Sequence, residues 1–276
     1  MIQLEQRIFA LDRLGEFLRN INPNDPNYDS LFEVINRAKN VNGWFSVKNV
    51  LYSFSQWGDC LSTKNLIKWT NSYTFLKKYP KTVGLVLAGN IPLVGFHDVV
   101  SVLVSGHKAL IKCSSSDPLL IPFLIKKLQE FEPSFKISVD FTTNRFKNFD
   151  GIIATGSNNA ARYFEYYFSK VPNLIRSNRN GIAILDGSEN KQQLEALAND
   201  IVQYYGLGCR STAKIFVPYK YDLNLIFGAL YPYSNLMDSD KFANNYDYNK
   251  AVYLMSQSNI LDLSLIHISE PTRLGM

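Results

Sequence analysis

With 276 residues, 46% hydrophobic and 19% charged, the chain is long enough for one large or two ordinary domains, and its balance excludes a disordered tail, a collagen-like repeat and a disulfide scaffold. A net charge of +5 is too mild and dispersed for a nucleic-acid footprint, although it suits a substrate that carries phosphates. No apolar run reaches the roughly 20 residues of a membrane helix, because Ile91 to Val104 is interrupted by His97 and Asp98, and Met1 to Glu5 does not read as a signal peptide.

Leu4, Ile8, Leu11, Leu14, Phe17, Leu18 and Ile21 recur at three- and four-residue spacing, which predicts a helix with one buried face. Asp25-Pro26 reads as an N-cap with proline at the first helical position, and Ser62 with Thr63 caps a helix carrying Leu66, Ile67 and Trp69. Residues 1–78 are therefore expected to be helices joined by short polar loops. From Val83 the pattern changes to strand-length apolar runs: Val83 to Ala88, Lys108 to Cys113, Ile137 to Phe141 and Gly151 to Thr155. Helix-length segments lie between them, Leu93 to Val104 and Pro118 to Phe131, the second opened by Asp117-Pro118. Alternation of strand and helix predicts an α/β fold with a parallel sheet and covering helices. A further strand, Gly181 to Leu185, a helix from Gln192 to Tyr205 and a strand from Ala213 to Val217 begin a second α/β unit. The stretch Leu263 to Arg273 resembles the translation of a transposase-type sequencing adapter, so authentic sequence is expected to stop near Asp262 and the natural protein to continue further.

The usual nucleotide fingerprints, G-x-G-x-x-G after a strand and G-x-x-x-x-G-K-[ST], are missing. Cys60, Cys113 and Cys209 are odd in number and far apart, which argues against disulfides and a zinc site and for a reducing, cytoplasmic setting. With only His97 and His107 outside the tail, no metal site is expected. Cys209 stands out, because Gly206 and Gly208 keep side-chain bulk away from it and the adjacent Arg210 would favour a thiolate. A Gly-Cys-Arg on its own is more often a buried free cysteine at a helix end. The basic stretch of Arg162, Lys170, Arg176 and Arg179 could face phosphates but reads more readily as a solvated face. The aromatic run Tyr163, Phe164, Tyr166, Tyr167 and Phe168 could line an acyl channel, although such a run on a helix is more often core.

The segments Ala88-Gly-Asn-Ile-Pro-Leu-Val-Gly-Phe-His-Asp98, Ser105-Gly-His-Lys108, Ala154-Thr-Gly-Ser-Asn-Asn159 and Gly206-Leu-Gly-Cys-Arg-Ser211 together resemble the aldehyde dehydrogenase superfamily. More closely, they resemble the acyl-CoA reductases related to the fatty acid reductase of bacterial bioluminescence. The resemblance covers about residues 80–260 and implies an aldehyde dehydrogenase-like α/β fold. It implies an NADPH-binding α/β domain over 79–180 and an incomplete catalytic domain over 181–262, is compatible with the helical N-terminal part expected over 1–78, and leaves 263–276 as a non-native tail. Carried over by position, Cys209 falls at the nucleophile and Asn90 at the asparagine that holds the substrate carbonyl oxygen. Asn90 standing alone would read as a turn residue after a strand. Lys112 falls where the superfamily's lysine meets the cofactor's adenosine ribose, and Ser115 where many NAD-using relatives carry a glutamate. A carboxylate there would repel a ribose 2′-phosphate, so its absence leans toward NADPH over NADH. Standing alone, Lys112 would be an ordinary surface lysine. Thr155, Gly156 and Ser157 resemble the strand-to-helix loop at the cofactor, where a helix N-terminus favours a phosphate.

Oxidising members of the superfamily carry a general-base glutamate before the strand that here begins at Gly181, but Arg176-Ser-Asn-Arg-Asn180 has none. Without a base to activate water, the reductive direction is favoured. The resemblance thus implies NADPH-dependent reduction of a long-chain acyl-CoA to the fatty aldehyde through an acyl-cysteine thioester. Its partners are an acyl-CoA and no nucleic acid, and it leaves room for a homo-oligomer of the full-length protein. Two alternatives remain at this point: a γ-glutamyl-phosphate reductase-like enzyme, and a non-catalytic fragment that holds a nucleotide.

Overall fold

The periodic N-terminal segments form four helices, α1 (Leu4–Arg19), α2 (Asp29–Val41), α3 (Val47–Cys60) and α4 (Thr63–Thr70). In α1 the apolar positions Ile8, Leu11, Leu14 and Leu18 are buried, as their spacing requires, and α1 packs on α3 through the close approach of Gly15 and Gly58. A Cβ on Gly15 would come within 2.9 Å of the Leu61 Cβ, so only glycine allows that crossing. Asp25 does cap, but it opens a short 3-10 turn at Pro26–Tyr28, and α2 starts only at Asp29. The structure is a computed structural model that describes residues 2–75, 79–257, 260–262 and 267–269.

The strand and helix alternation gives β1 (Thr82–Val86), α5 (Phe96–Val104), β2 (Lys108–Lys112), α6 (Leu120–Phe131), β3 (Val139–Phe141), β4 (Gly151–Thr155), α7 (Asn158–Phe168) and β5 (Asn173–Arg176). All five strands are parallel, in the order β3-β2-β1-β4-β5. The order reverses at β1, which pairs with β2 on one side and β4 on the other, and in open α/β sheets ligands bind beyond the carboxyl ends of the strands at such a switch point. Leu85, Ile111, Ile152 and Ala154 bury the sheet faces, and one apolar core runs from these strands through α5 and α6 to α1–α3.

Two of the expected boundaries move for local reasons, and one strand, β5, has no counterpart among the expected elements. Pro133 and the Glu132 carboxylate, which accepts the Ser134 N–H at 3.1 Å, hold residues 133–137 in a 3-10 turn, so β3 begins at Val139 rather than Ile137. The segment after Pro92 first turns back on itself, and α5 begins at Phe96 rather than Leu93. β5 has only Leu174 and Ile175 as apolar residues and lies at the sheet edge, so it lacks the pattern that marks the inner strands.

The chain divides into two compact units, Met1–Asn178 and Arg179–Met276, so the helices of 1–78 and the five-stranded sheet belong to one unit. The second unit holds the parallel pair β6 (Gly181–Ile184) and β7 (Thr212–Phe216), with α8 (Lys191–Val202), α9 (Asn224–Leu230) and α10 (Asp240–Met255). Its core is small, built on Ala198, Ile226 and Leu230, while Ile182 and Ile184 on β6 are exposed. Helix α8 stops at Val202 and not at Tyr205, because Tyr204, Tyr205 and Gly206 are all left-handed, at φ of 55°, 58° and 71°. Two bulky residues in that region cost on the order of 1–3 kcal/mol each. Short strands at Ile260–Asp262 and His267–Ser269 pair antiparallel. The rest of the adapter-like tail, residues 263–266 and 270–276, lies outside the described residues.

Candidate functional site

Four segments meet the carboxyl edge of the sheet, one from the end of each of β1, β2, β4 and β5, and three of them carry the residues singled out in the sequence. Beyond β1, Leu87 still donates to the Lys112 carbonyl at 3.1 Å, after which the chain leaves the sheet through Gly89 to an exposed Asn90. Gly89 is buried so tightly that a Cβ there would lie 2.7 Å from the Ser114 side chain and 3.1 Å from the Asp117 nitrogen. Leu93, three residues after Asn90, is buried and left-handed at φ 58°. The turn is tied from three sides. The Asn42 amide Nδ2 donates to the carbonyls of Gly89 at 3.4 Å and Ser116 at 3.3 Å, and the Ser53 hydroxyl donates to the Pro92 carbonyl at 3.0 Å. The Leu93 N–H donates to Asp117 Oδ2 at 3.3 Å, while Asp117 Oδ1 accepts the Leu120 N–H at 3.3 Å.

Asp117 is legible in the sequence only as part of a helix-opening Asp-Pro. It is almost fully buried, and that burial pushes its carboxyl up to about 6 against the opposing pull of the Leu93 and Leu120 N–H groups. The half-buried Cys113 beside it has its thiol pushed up to about 12 by burial and by the charge of Asp117. A thiol held protonated in this way is a poor nucleophile.

At the end of β2, Lys112 is half-buried, with its Nζ 3.4 Å from the Asn144 carbonyl, and Ser115 is exposed. At the end of β4, Thr155 and Gly156 lead into α7, whose N-cap Ser157 accepts the Ala160 N–H at 3.2 Å. Gly156 is required by packing, since a Cβ would meet the Ala160 Cβ at 2.9 Å and the Phe164 ring at 3.0 Å. The positive end of α7 therefore opens on the sheet edge beside the switch point.

Arg176 ends β5, and the structure corrects its reading as part of a solvated basic face. Its Nη1 donates to both oxygens of Asp98 at 2.6 and 2.7 Å, and the Asp98 side chain is only 6% exposed. Burial pushes the Asp98 carboxyl up, but hydrogen bonds from His97 and Arg176 and their charges outweigh it and hold the group below its ordinary value. The aromatic run on α7 divides: Tyr163, Tyr166 and Tyr167 are exposed, Tyr166 by 76%, while Phe164 and Phe168 are half-buried and Phe168 packs against the rings of Phe146, Phe149 and Phe164.

Cys209 belongs to the second unit and is exposed, which overturns the buried-cysteine reading of Gly-Cys-Arg. It sits in a turn closed by the Ser211 N–H donating to the Gly208 carbonyl at 3.0 Å, between the left-handed Tyr204 to Gly206 run and β7. Among the described residues no cluster of three or more His, Cys, Asp or Glu could hold a metal, and no helix is long and apolar enough to cross a membrane.

No curated protein matches the chain in sequence. Solved structures do match it in shape. Betaine aldehyde dehydrogenase from Staphylococcus aureus, in complex with NAD+, is similar with a TM-score of 0.66 at 12% identity, over 95% of this chain and 57% of that one. An aldehyde dehydrogenase from Bartonella henselae gives 0.62 at 14% identity, covering 86% of this chain and 52% of that one. Aldehyde dehydrogenase KauB from Pseudomonas aeruginosa gives 0.56 at 15% identity, covering 83% and 50%. The chain thus spans about half the length of these structures and has the aldehyde dehydrogenase-like fold. The family model for acyl-CoA reductase (LuxC) matches residues 62–225, more than half of the chain and the whole stretch from β1 to β7. The chain belongs to the acyl-CoA reductase (LuxC) family.

Proposed function

We propose that the protein reduces a long-chain acyl-CoA to the fatty aldehyde with NADPH, through a thioester on Cys209. The observation that carries this reading is the family match over residues 62–225, which includes both the exposed Cys209 and the exposed Asn90. The Cys209 thiolate attacks the acyl carbonyl, and the tetrahedral adduct collapses by breaking the bond to the coenzyme A sulfur. One thioester replaces another, so this half-reaction is nearly isoenergetic and depends on positioning. Charge builds on the carbonyl oxygen during attack, and the Asn90 amide with the Cys209 backbone N–H stabilises it.

The sheet edge fits a phosphorylated nicotinamide cofactor. The helix α7 N-terminus and Lys112 supply positive character, and no carboxylate at Ser115 repels a 2′-phosphate. When bound, a reduced nicotinamide supplies the hydride that turns the acyl thioester into aldehyde and frees the Cys209 thiolate. Asn90 serves this step as well, because the same oxygen again becomes negative. Competing hydrolysis needs an activated water. Asp98, the α5 carboxylate that meets the end of β5, is committed to Arg176, which supports reduction over hydrolysis.

Intact-mass measurement after mixing with palmitoyl-CoA, without NADPH, tests the proposal. An acyl adduct on the native protein, absent from Cys209→Ala and discharged by NADPH, is the expected result. No adduct with short, medium or long acyl-CoAs refutes it. An adduct formed only from an acyl phosphate assigns the chemistry to a γ-glutamyl-phosphate reductase-like enzyme, and cofactor binding without any adduct leaves a nucleotide-binding protein.

A further inference from the structure

We propose that Asp117 is a positioning residue for Asn90, its carboxylate bridging the turn that carries Asn90 to the first turn of α6. The inference rests on the reading of Asn90 as the oxyanion donor and adds how that donor is held. Both flanks of the Asn90-Ile91 pair are fixed: Gly89 through its carbonyl by Asn42, Pro92 through its carbonyl by Ser53, and Leu93 through its N–H by Asp117 Oδ2. Asp117 Oδ1 at the same time accepts the Leu120 N–H, so one side chain joins two segments. Leu93 is held in a left-handed conformation that a leucine avoids, and such strain persists only where the surroundings over-determine it.

A carboxylate is an expensive way to make a merely structural tie at this depth, because a buried charge without a cation is costly. The titratable group facing Asp117 is the Cys113 thiol, and no Lys or Arg among the described residues contributes to its environment. Two N–H groups approach opposite oxygens, an arrangement only the ionised carboxylate satisfies in full. Protonation turns one oxygen into a hydroxyl donor and weakens one of the two ties. With the carboxyl at about 6, that loosening falls inside a range in which the enzyme can be assayed.

The test is the rate of acylation by palmitoyl-CoA, followed by quenched intact mass from about pH 5 to about pH 8, in native protein, Asn90→Ala, Asp117→Asn and the double variant. Asn90→Ala is expected to lose about 10²- to 10³-fold, the usual cost of one oxyanion donor. The ratio of native to Asn90→Ala rates cancels every pH effect the two proteins share, and it is expected to fall as pH drops through about 6. Asp117→Asn offers one acceptor instead of two and should lose about 10- to 100-fold, the scale of a small misplacement. It should flatten the pH dependence of that ratio and add no further loss to Asn90→Ala, since it acts through Asn90.

An Asp117→Asn rate within about twofold of native, or losses that add in the double variant, would overturn the proposal. Asn90→Ala at full rate refutes the oxyanion reading itself and the inference with it, a separate result from an Asn90 effect that ignores Asp117. Should Asp117→Asn not fold, the pH course of the native to Asn90→Ala ratio decides alone: a flat ratio overturns the proposal.

Discussion

Replacing Arg176 with Met keeps most of the side-chain stem and removes the charge that neutralises Asp98. The pair is bidentate on the aspartate, with the Asp98 side chain 6% and the Arg176 side chain 30% exposed. Removing one partner of a buried ion pair costs about 3–5 kcal/mol, and the partial exposure of Arg176 puts this case near the low end, about 3 kcal/mol. For a unit of this size that lowers the melting temperature by roughly 6–12 °C. All three tryptophans, Trp44, Trp57 and Trp69, lie in the first unit, so tryptophan fluorescence during urea unfolding reads that unit separately from the second. The pH course is the sharper readout. In the native protein the folded Asp98 pKa is lowered, so its stabilisation is present above the unfolded value of about 3.9 and is lost as pH falls through the lower folded value. In Arg176→Met, burial acts with only His97 opposing it, the folded pKa rises, and the penalty is relieved on acidification. The deficit should therefore be largest near pH 7 and shrink below about pH 5. Asp98→Leu in the same background should recover stability, since an apolar pair replaces a broken ionic one. A deficit under about 1 kcal/mol, or one that does not change with pH, would refute this account.

Three further outcomes follow from the same geometry. Gly89→Ala places a methyl 2.7 Å from the Ser114 side chain, costing about 1–3 kcal/mol and displacing the Asn90 turn. Its acylation rate should drop while NADPH binding, measured by fluorescence titration, stays within about twofold, and a normal rate would show that the turn tolerates the shift. At about pH 8, iodoacetamide should modify Cys60 and Cys209, both exposed, while Cys113 reacts only after unfolding, because its thiol is half-buried and pushed up to about 12. Peptide mapping that finds Cys113 labelled in the folded protein would contradict the burial argument. Ser115→Glu should weaken NADPH binding about tenfold and leave NADH binding almost unchanged, since a carboxylate repels only the 2′-phosphate, and equal effects on both cofactors would remove Ser115 from the 2′-position.

The residues proposed for the site, Asn90, Lys112, Ser115, Thr155, Gly156, Ser157 and Cys209, stand in short motifs that only the family resemblance marks as a site, since Asn90 alone reads as a turn residue and Lys112 as a surface lysine. Most elements need no such resemblance. Heptad-like spacing in α1 and glycine-bounded apolar runs at β1, β2 and β4 are properties of neighbouring residues, and local backbone preference with one-sided burial is enough to express them. β5 carries no such mark because an edge strand needs little apolar surface, and the apolar pattern overruns the end of α8 because nothing in Tyr204-Tyr205 announces a left-handed turn.

What the tertiary structure decided lies in pairings between residues far apart in the chain. Asp98 meets Arg176 across 78 positions, Asp117 meets Leu93 across 24, and Asn42 reaches Gly89 across 47. Asp98, Arg176, Asp117 and Asn42, each taken alone, are ordinary polar residues at a helix end, a strand end or a loop. Their roles come from burial, which makes an unpaired charge or N–H too costly to leave and so selects a partner by position in space, a choice that no local pattern encodes. The local sequence sets which strands and helices form, and the strand order β3-β2-β1-β4-β5 then brings their carboxyl ends to one edge, where the motif residues of the first unit meet.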